Sequence, residues 1–190
     1  MHVMYSLQDT AKAYAKGAQR ILGEDVSFLN NNQEVIPVFV SLLFQSIEVS
    51  LKHLGIEAEL FTPAESRDRK LTKNGHGITE IAGLVNERLG ADKNYPVIMA
   101  LTVGLSNCQV SEILEKMIFS SDFEPTRKSY QNRNLGYAQL KPGEIQLIGS
   151  LKPWVDAVVD VAENLPKAID VVSQWKKTAT KSKTFAIWYK

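Results

Sequence analysis

The sequence predicts an all-α protein, an antiparallel bundle of about five or six helices, and three observations carry that prediction. Apolar residues recur at steps of three and four over most of the chain. Strand-like alternation is scarce. The 190 residues are 44% hydrophobic and 23% charged, a composition that buries one core without staples and excludes wholesale disorder.

The first helix is predicted over Leu7 to Leu22, where Ser6 and Asp9 make a Ser-x-x-Asp start resembling a capping box. Ala11, Tyr14, Ala15, Ala18 and Ile21 share one face, and Gly23 supplies a stop. Asn30 to Asn32 reads as a polar loop. A second helix, Val35 to Leu54, would be about 30 Å long. Val38, Phe39, Leu42, Leu43, Ile47, Leu51 and Leu54 leave its first half almost no polar side, which makes it the central helix. Pro37 fits only in its first turn, and Gly55 is expected to end it.

Residues 57–75 read as a loop. A third helix is expected from His76 to Leu89, capped by Gly90. The stretch 96–105 is apolar, short and β-branched, so periodicity leaves helix and strand both open. Ser106 with Gln109 opens another helix, striped by Val110, Ile113, Leu114 and Met117. Residues 120–143 are polar and rich in turn formers, long for a connection in a compact domain. Val155, Val158, Ala162, Leu165, Ile169 and Val172 form a bundle seam, with a kink or break expected at Pro166. Residues 1–190 are thus read as one domain. Its tail, residues 176–190, carries five lysines and no acid and ends in Phe185, Ile187, Trp188 and Tyr189. Those side chains are expected to anchor the tail, the alternative being backbone tracking and base stacking on nucleic acid.

A formal net charge of +1 means that any nucleic-acid footprint must be local. The lone Cys108 excludes a disulfide framework and reads as a buried thiol of a reducing, cytoplasmic protein. No secretory pattern opens the chain, and the strongest apolar run, Val35 to Phe44, is short of the roughly 20 residues a bilayer needs. No membrane association, metal or cofactor is expected. Phosphate-loop, nucleophile-elbow, paired-cysteine zinc and His-Glu-x-x-His signatures are absent from the sequence.

Chemistry-bearing residues concentrate in two places. Glu48 and Lys52 stand four apart on the central helix, either as a minor exposed pair or as a buried polar bridge to Arg127 or Arg133. Arg67, Arg69, Lys70 and Lys73 make a basic stretch, offset by Glu65 and Asp68, and His76 follows in Gly75-His76-Gly77-Ile78. An imidazole moves protons near neutral pH, and guanidinium groups clamp phosphate. The ordinary reading is a solvated loop and a helix-capping His76. His53 reads as a lone histidine on the polar side of its helix.

The order Ser46-Ile47-Glu48-Val49-Ser50-Leu51-Lys52-His53-Leu54-Gly55, then a basic loop, then Gly75-His76-Gly77-Ile78, resembles the HEPN family. These are small helical domains of toxin–antitoxin, abortive-infection and RNA-cutting defence systems. The resemblance implies a homodimer, here through the Val155–Val172 seam or the central helix, and RNA or nucleotide as ligand. A cognate antitoxin or other protein partner is implied as well. It further implies metal-independent cleavage of RNA by an Arg–His pair with four to six residues between them. Arg69 and His76 satisfy that spacing, as phosphate clamp and acid/base. The family's usual pair lies nearer the C-terminal helix. There Arg133-Asn134 fits the start, but Ala138 or Gln139 stands where the histidine would be. Arg67, Lys70, Lys73, Arg127, Arg133 and Asn134 are the candidate RNA or nucleotide contacts. The alternative is a non-catalytic binding or adaptor module acting through protein contacts.

Overall fold

A computed structural model describes residues 6–23, 27–90, 96–107, 109–132 and 151–187, with only the helical course given for 27, 30 and 179–187. Cys108, Arg133, Asn134, Ala138, Gln139, Trp188 and Tyr189 lie outside the described residues, as do the side chains of Phe185 and Ile187. The described elements are helical throughout: α1 (Leu7–Leu22), α2 (Ser27–Asn31), α3 (Ile36–Glu57), α4 (Arg69–Thr72), α5 (Ile78–Arg88), α6 (Pro96–Thr102), α7 (Gln109–Phe119), α8 (Glu124–Gln131) and α9 (Lys152–Ile187). Short helices occupy stretches read from sequence as loops, so the described elements outnumber the expected five or six. The 96–105 ambiguity resolves as helix.

α1 begins where its capping box predicts. Ser6 Oγ accepts from the Asp9 amide at 3.0 Å, and the Asp9 carboxylate accepts from the Ser6 amide at 3.3 Å. Its buried face is Ala11, Ala15, Ala18 and Leu22, and small side chains let it lie close on α3. Ser46 Oγ donates to the Ala11 carbonyl at 2.9 Å, while Gly17 sits against Leu42 farther down. As α1 ascends α3 descends, so the two are antiparallel.

α3 is the axis of the bundle, touched by α1, α5, α8 and α9. By length and composition, 33–57 could cross a membrane, but half of its most apolar window is buried inside this fold. Phe39, Phe44, Ile47, Leu51 and Leu54 are core. Val38, expected inside, is 51% exposed. Gly55 does not end α3, which continues to Glu57. Its missing side chain serves packing: a Cβ there would fall 2.0 Å from Phe61 Cζ. The Gly55 carbonyl also accepts the Leu60 amide at 2.8 Å, turning the chain back under the helix end.

Other boundaries shift for local reasons. Asn30–Asn31 closes α2 rather than a loop, and Asn32 Nδ2 donates to the Phe28 carbonyl at 2.8 Å. α7 starts at Gln109, whose amide is received by Asn107 Oδ1 at 3.0 Å, so Asn107 rather than Ser106 is the capping side chain. α9 runs unbroken through Pro166 over 36 residues. Pro166 faces solvent, so the hydrogen bond it forfeits lies on the outer side and the packed face stays continuous.

That packed face is the expected seam, yet it is spent inside the chain. Val155, Val158, Ala162, Leu165 and Val172 are buried, and α9 packs on α1, α3, α6 and α7. Those five side chains are covered by the chain itself, while Ile169 is only partly buried. Asn164 Nδ2 fastens α6 to α9 by donating to the carbonyls of Leu101 (3.0 Å) and Val103 (3.1 Å). Lys176 Nζ donates to the Glu59 carbonyl at 2.8 Å, binding the far part of α9 to the turn after α3.

Candidate functional site

Between α3 and α5 the chain makes a tight strap. A 3-10 turn, Glu65–Arg67, leads into the single turn of α4, which Asp68 caps by accepting from the amides of Lys70 (2.7 Å) and Leu71 (2.9 Å). These donors hold the Asp68 carboxyl below its usual range. Lys73, Asn74 and Gly75 then all take positive φ (52°, 59° and 82°). Left-handed non-glycine residues cost roughly 1 kcal/mol each or more, a strain that must be held by neighbours. Thr72 holds it. Its buried hydroxyl donates to the Asp68 carbonyl at 2.9 Å and accepts the Gly75 amide at 3.1 Å, and its carbonyl receives the amides of Gly75 and Gly77. Gly75 is needed here for space too, because a Cβ would meet Lys52 Nζ and the Ser66 carbonyl at 3.0 Å each.

The strap delivers His76 to the side of α3. His76 precedes α5 by two residues instead of opening it, and Gly77 is the N-cap. The ring bonds across the fold: His76 Nδ1 lies 3.2 Å from Glu48 Oε2. The Glu48 side chain is only 7% exposed and has two further donors. Lys52 Nζ reaches Oε1 at 2.6 Å, and Tyr130 Oη reaches Oε2 at 2.6 Å. A buried carboxylate requires this kind of company, since an isolated one would be costly to desolvate.

Tyr130 comes from α8 and stacks on Phe44, with ring centroids 5.6 Å apart and planes at 26°. Burial, then the Glu48 charge, pushes its phenol far above its ordinary range, so it acts as a fixed donor. Sequence reading missed Tyr130. Its one legible signal was the 123, 126, 130 spacing, which buries Phe123, Thr126 and Tyr130 on one face.

The expected bridge from Glu48 to Arg127 does not form. Arg127 turns to the end of α7, donating to the carbonyls of Met117 (3.1 Å) and Ser120 (2.8 Å). Arg67, Arg69, Lys70 and Lys73 are exposed on the strap. The acids that would offset them have local duties: Asp68 caps α4, while Glu65 accepts the Thr62 amide at 2.7 Å and Arg88 Nη2 at 3.1 Å. No ion pair joins those four cations to an acid among the described residues. Arg67 lies against Gly75 (its Cα 3.5 Å from a Cβ placed there), and Lys73 Cγ stands 3.0 Å from the equivalent point on Gly77. Arg67 and Lys73 thus flank the two glycines on either side of His76, with Arg69 on α4 in the same segment.

His53 is nine-tenths buried instead of lying on a polar side; its Nδ1 lacks a hydrogen-bond partner among the described residues, and Glu57 Oε1 stands at 3.9 Å. A cleft of about 370 Å³ at the end of α7 is lined by Glu112, Glu115, Lys116, Phe119 and Ser120, none of them a candidate from the sequence. Among the described residues, no three His, Cys, Asp or Glu side chains gather as metal ligands would. Set against known proteins, the chain matches no family model, no curated protein and no solved structure.

Proposed function

We propose that this chain is a HEPN-like, RNA-directed domain of a defence or toxin system, binding RNA on the Arg67–His76 strap and cleaving it with His76. The observation that carries this reading is the strap itself. Four exposed cations share a segment with a histidine whose Nδ1 is held by a buried carboxylate, while Asp68 and Glu65 are engaged in local caps and pairs. Arginine and lysine at such a surface suit phosphodiester oxygens, and a carboxylate-held imidazole suits proton transfer. RNA supplies its own nucleophile. The 2′-oxygen attacks phosphorus and gives its proton to His76, the bond to the 5′-oxygen breaks, and that oxygen takes up a proton from water as it leaves. The products are a 2′,3′-cyclic phosphate and a 5′-hydroxyl, with no metal required by the balance. A homodimer and a protein partner belong to the same proposal, on a face other than the α9 seam.

The test is RNA binding and cleavage with labelled single-stranded RNA. Binding followed by anisotropy is expected to weaken with salt, with a log–log slope of about −2 to −3 if four phosphates are neutralised. Serine at 67, 69, 70 and 73 together should abolish that slope. His76→Ala should retain binding and lose cleavage in the presence of chelator. Equal affinity of the wild type and the serine variant would sink the reading and leave the adaptor role.

A further inference from the structure

Glu48 is a carboxylate with an asymmetric set of partners. On the Oε1 side stands Lys52, a group that can only donate; on the Oε2 side stand Tyr130 and His76. A carboxylate accepts on both oxygens, so it satisfies Lys52 and still demands a donor from His76. The imidazole nitrogen facing it, Nδ1, must therefore carry hydrogen. We propose that Glu48, itself oriented by Lys52 and Tyr130, is a positioning residue that fixes neutral His76 as the Nδ1–H tautomer, with the basic lone pair on Nε2. The assignment of a chemical purpose to that tautomer rests on the proposed RNA cleavage. The tautomer itself does not.

The consequence is specific. An imidazole that abstracts a proton from a ribose hydroxyl needs its lone pair on the nitrogen directed at substrate. A partner that locks the other tautomer leaves geometry intact and removes the base. Replacing the carboxylate with an amide of the same shape gives such a partner, provided that the amide has one way round. In Glu48→Gln alone it has two, because Tyr130 also competes as a donor for the amide oxygen. In the Tyr130→Phe background that competition is gone. Lys52 is then the strongest donor left, the amide oxygen turns to it, and the NH₂ faces Nδ1. His76 must answer with a lone pair at Nδ1 and move its hydrogen to Nε2. Phenylalanine at 130 keeps the stacked ring against Phe44.

The experiment compares wild type, Tyr130→Phe and Tyr130→Phe/Glu48→Gln, each labelled with ¹⁵N in histidine, by long-range proton–nitrogen correlation of the His76 ring in its neutral form. Wild type and Tyr130→Phe are expected to show Nδ1–H. The double variant is expected to show Nε2–H, to keep RNA affinity within about twofold, and to lose cleavage by about 100-fold or more. An Nε2–H pattern in the wild type overturns the proposal without need of any variant. So does an unchanged pattern in the folded double variant. A wild type that shows Nδ1–H yet neither binds nor cuts RNA would defeat the proposed function and leave the tautomer assignment standing.

Discussion

Glu48 and His53 lie five residues apart on the same helix, both buried, and they have opposite hydrogen-bond fates. Glu48 gathers an ammonium, a phenol and an imidazole from α3, α8 and the strap before α5. His53 and Ser50, one turn before it, face a different side, and their Nδ1 and Oγ find no hydrogen-bond partner among the described residues. Burial of a polar group is thus no guide to its value. A fully satisfied carboxylate ties three elements together, while an orphaned hydroxyl or imidazole subtracts from stability by its lost hydration.

The sharpest way to break this contrast is to remove the hub. Glu48→Ala removes the acceptor shared by Lys52, Tyr130 and His76, and the expected cost in denaturant unfolding is about 3–5 kcal/mol. A loss below 1 kcal/mol would mean that the network contributes little. Next comes the strap that serves the hub. Gly75→Ala should cost about 1–3 kcal/mol, since the residue has φ 82° and a Cβ would press on Lys52 Nζ. If Lys52 is displaced as expected, RNA affinity and thermal midpoint should fall together.

The other side of α3 predicts smaller effects, one of them of opposite sign. Burial draws the His53 pKa below its ordinary value of 6.5, against the weaker pull of Glu57 and Asp9. Between that value and the lowered one, the unfolded chain holds a proton that the native chain does not. Stability is therefore full above about pH 6.5 and declines as pH falls from there toward the lowered value. Chemical denaturation from pH 7.5 to 5 should show this decline, and His53→Leu should flatten it relative to wild type. An identical slope in both would exclude His53 as its source. Ser50→Ala, which deletes an orphan hydroxyl, should be neutral or stabilising by up to about 1 kcal/mol, whereas an ordinary hydrogen-bonded serine would lose that much. Thermal unfolding decides the sign.

Local signals were legible in the chain and distant ones were not. The α1 capping box and the apolar stripes of α3, α7 and α9 are written within a few residues of where they act. Gly55 misled because glycine has two uses. One is to stop a helix, and the other, realised here, is to admit the ring of Phe61. Pro166 does not break α9, because the cost of proline depends on which face it occupies. The Glu48–His76 contact spans 28 residues and the Glu48–Tyr130 contact 82, distances over which side-chain spacing carries no information. Glu48 and Lys52 could be recognised as a pair, but not the partners that make them a hub.

The placement of α9 has a consequence for synthesis. This helix lies against α1, α3, α6 and α7, and it is made after all of them. While the ribosome is still adding it, the apolar flanks of four finished helices have nothing to close them. Chains arrested before α9 should be strong clients for holding chaperones. Emergence of α9 would then act as the latch, converting a sticky intermediate into a packed bundle in one step.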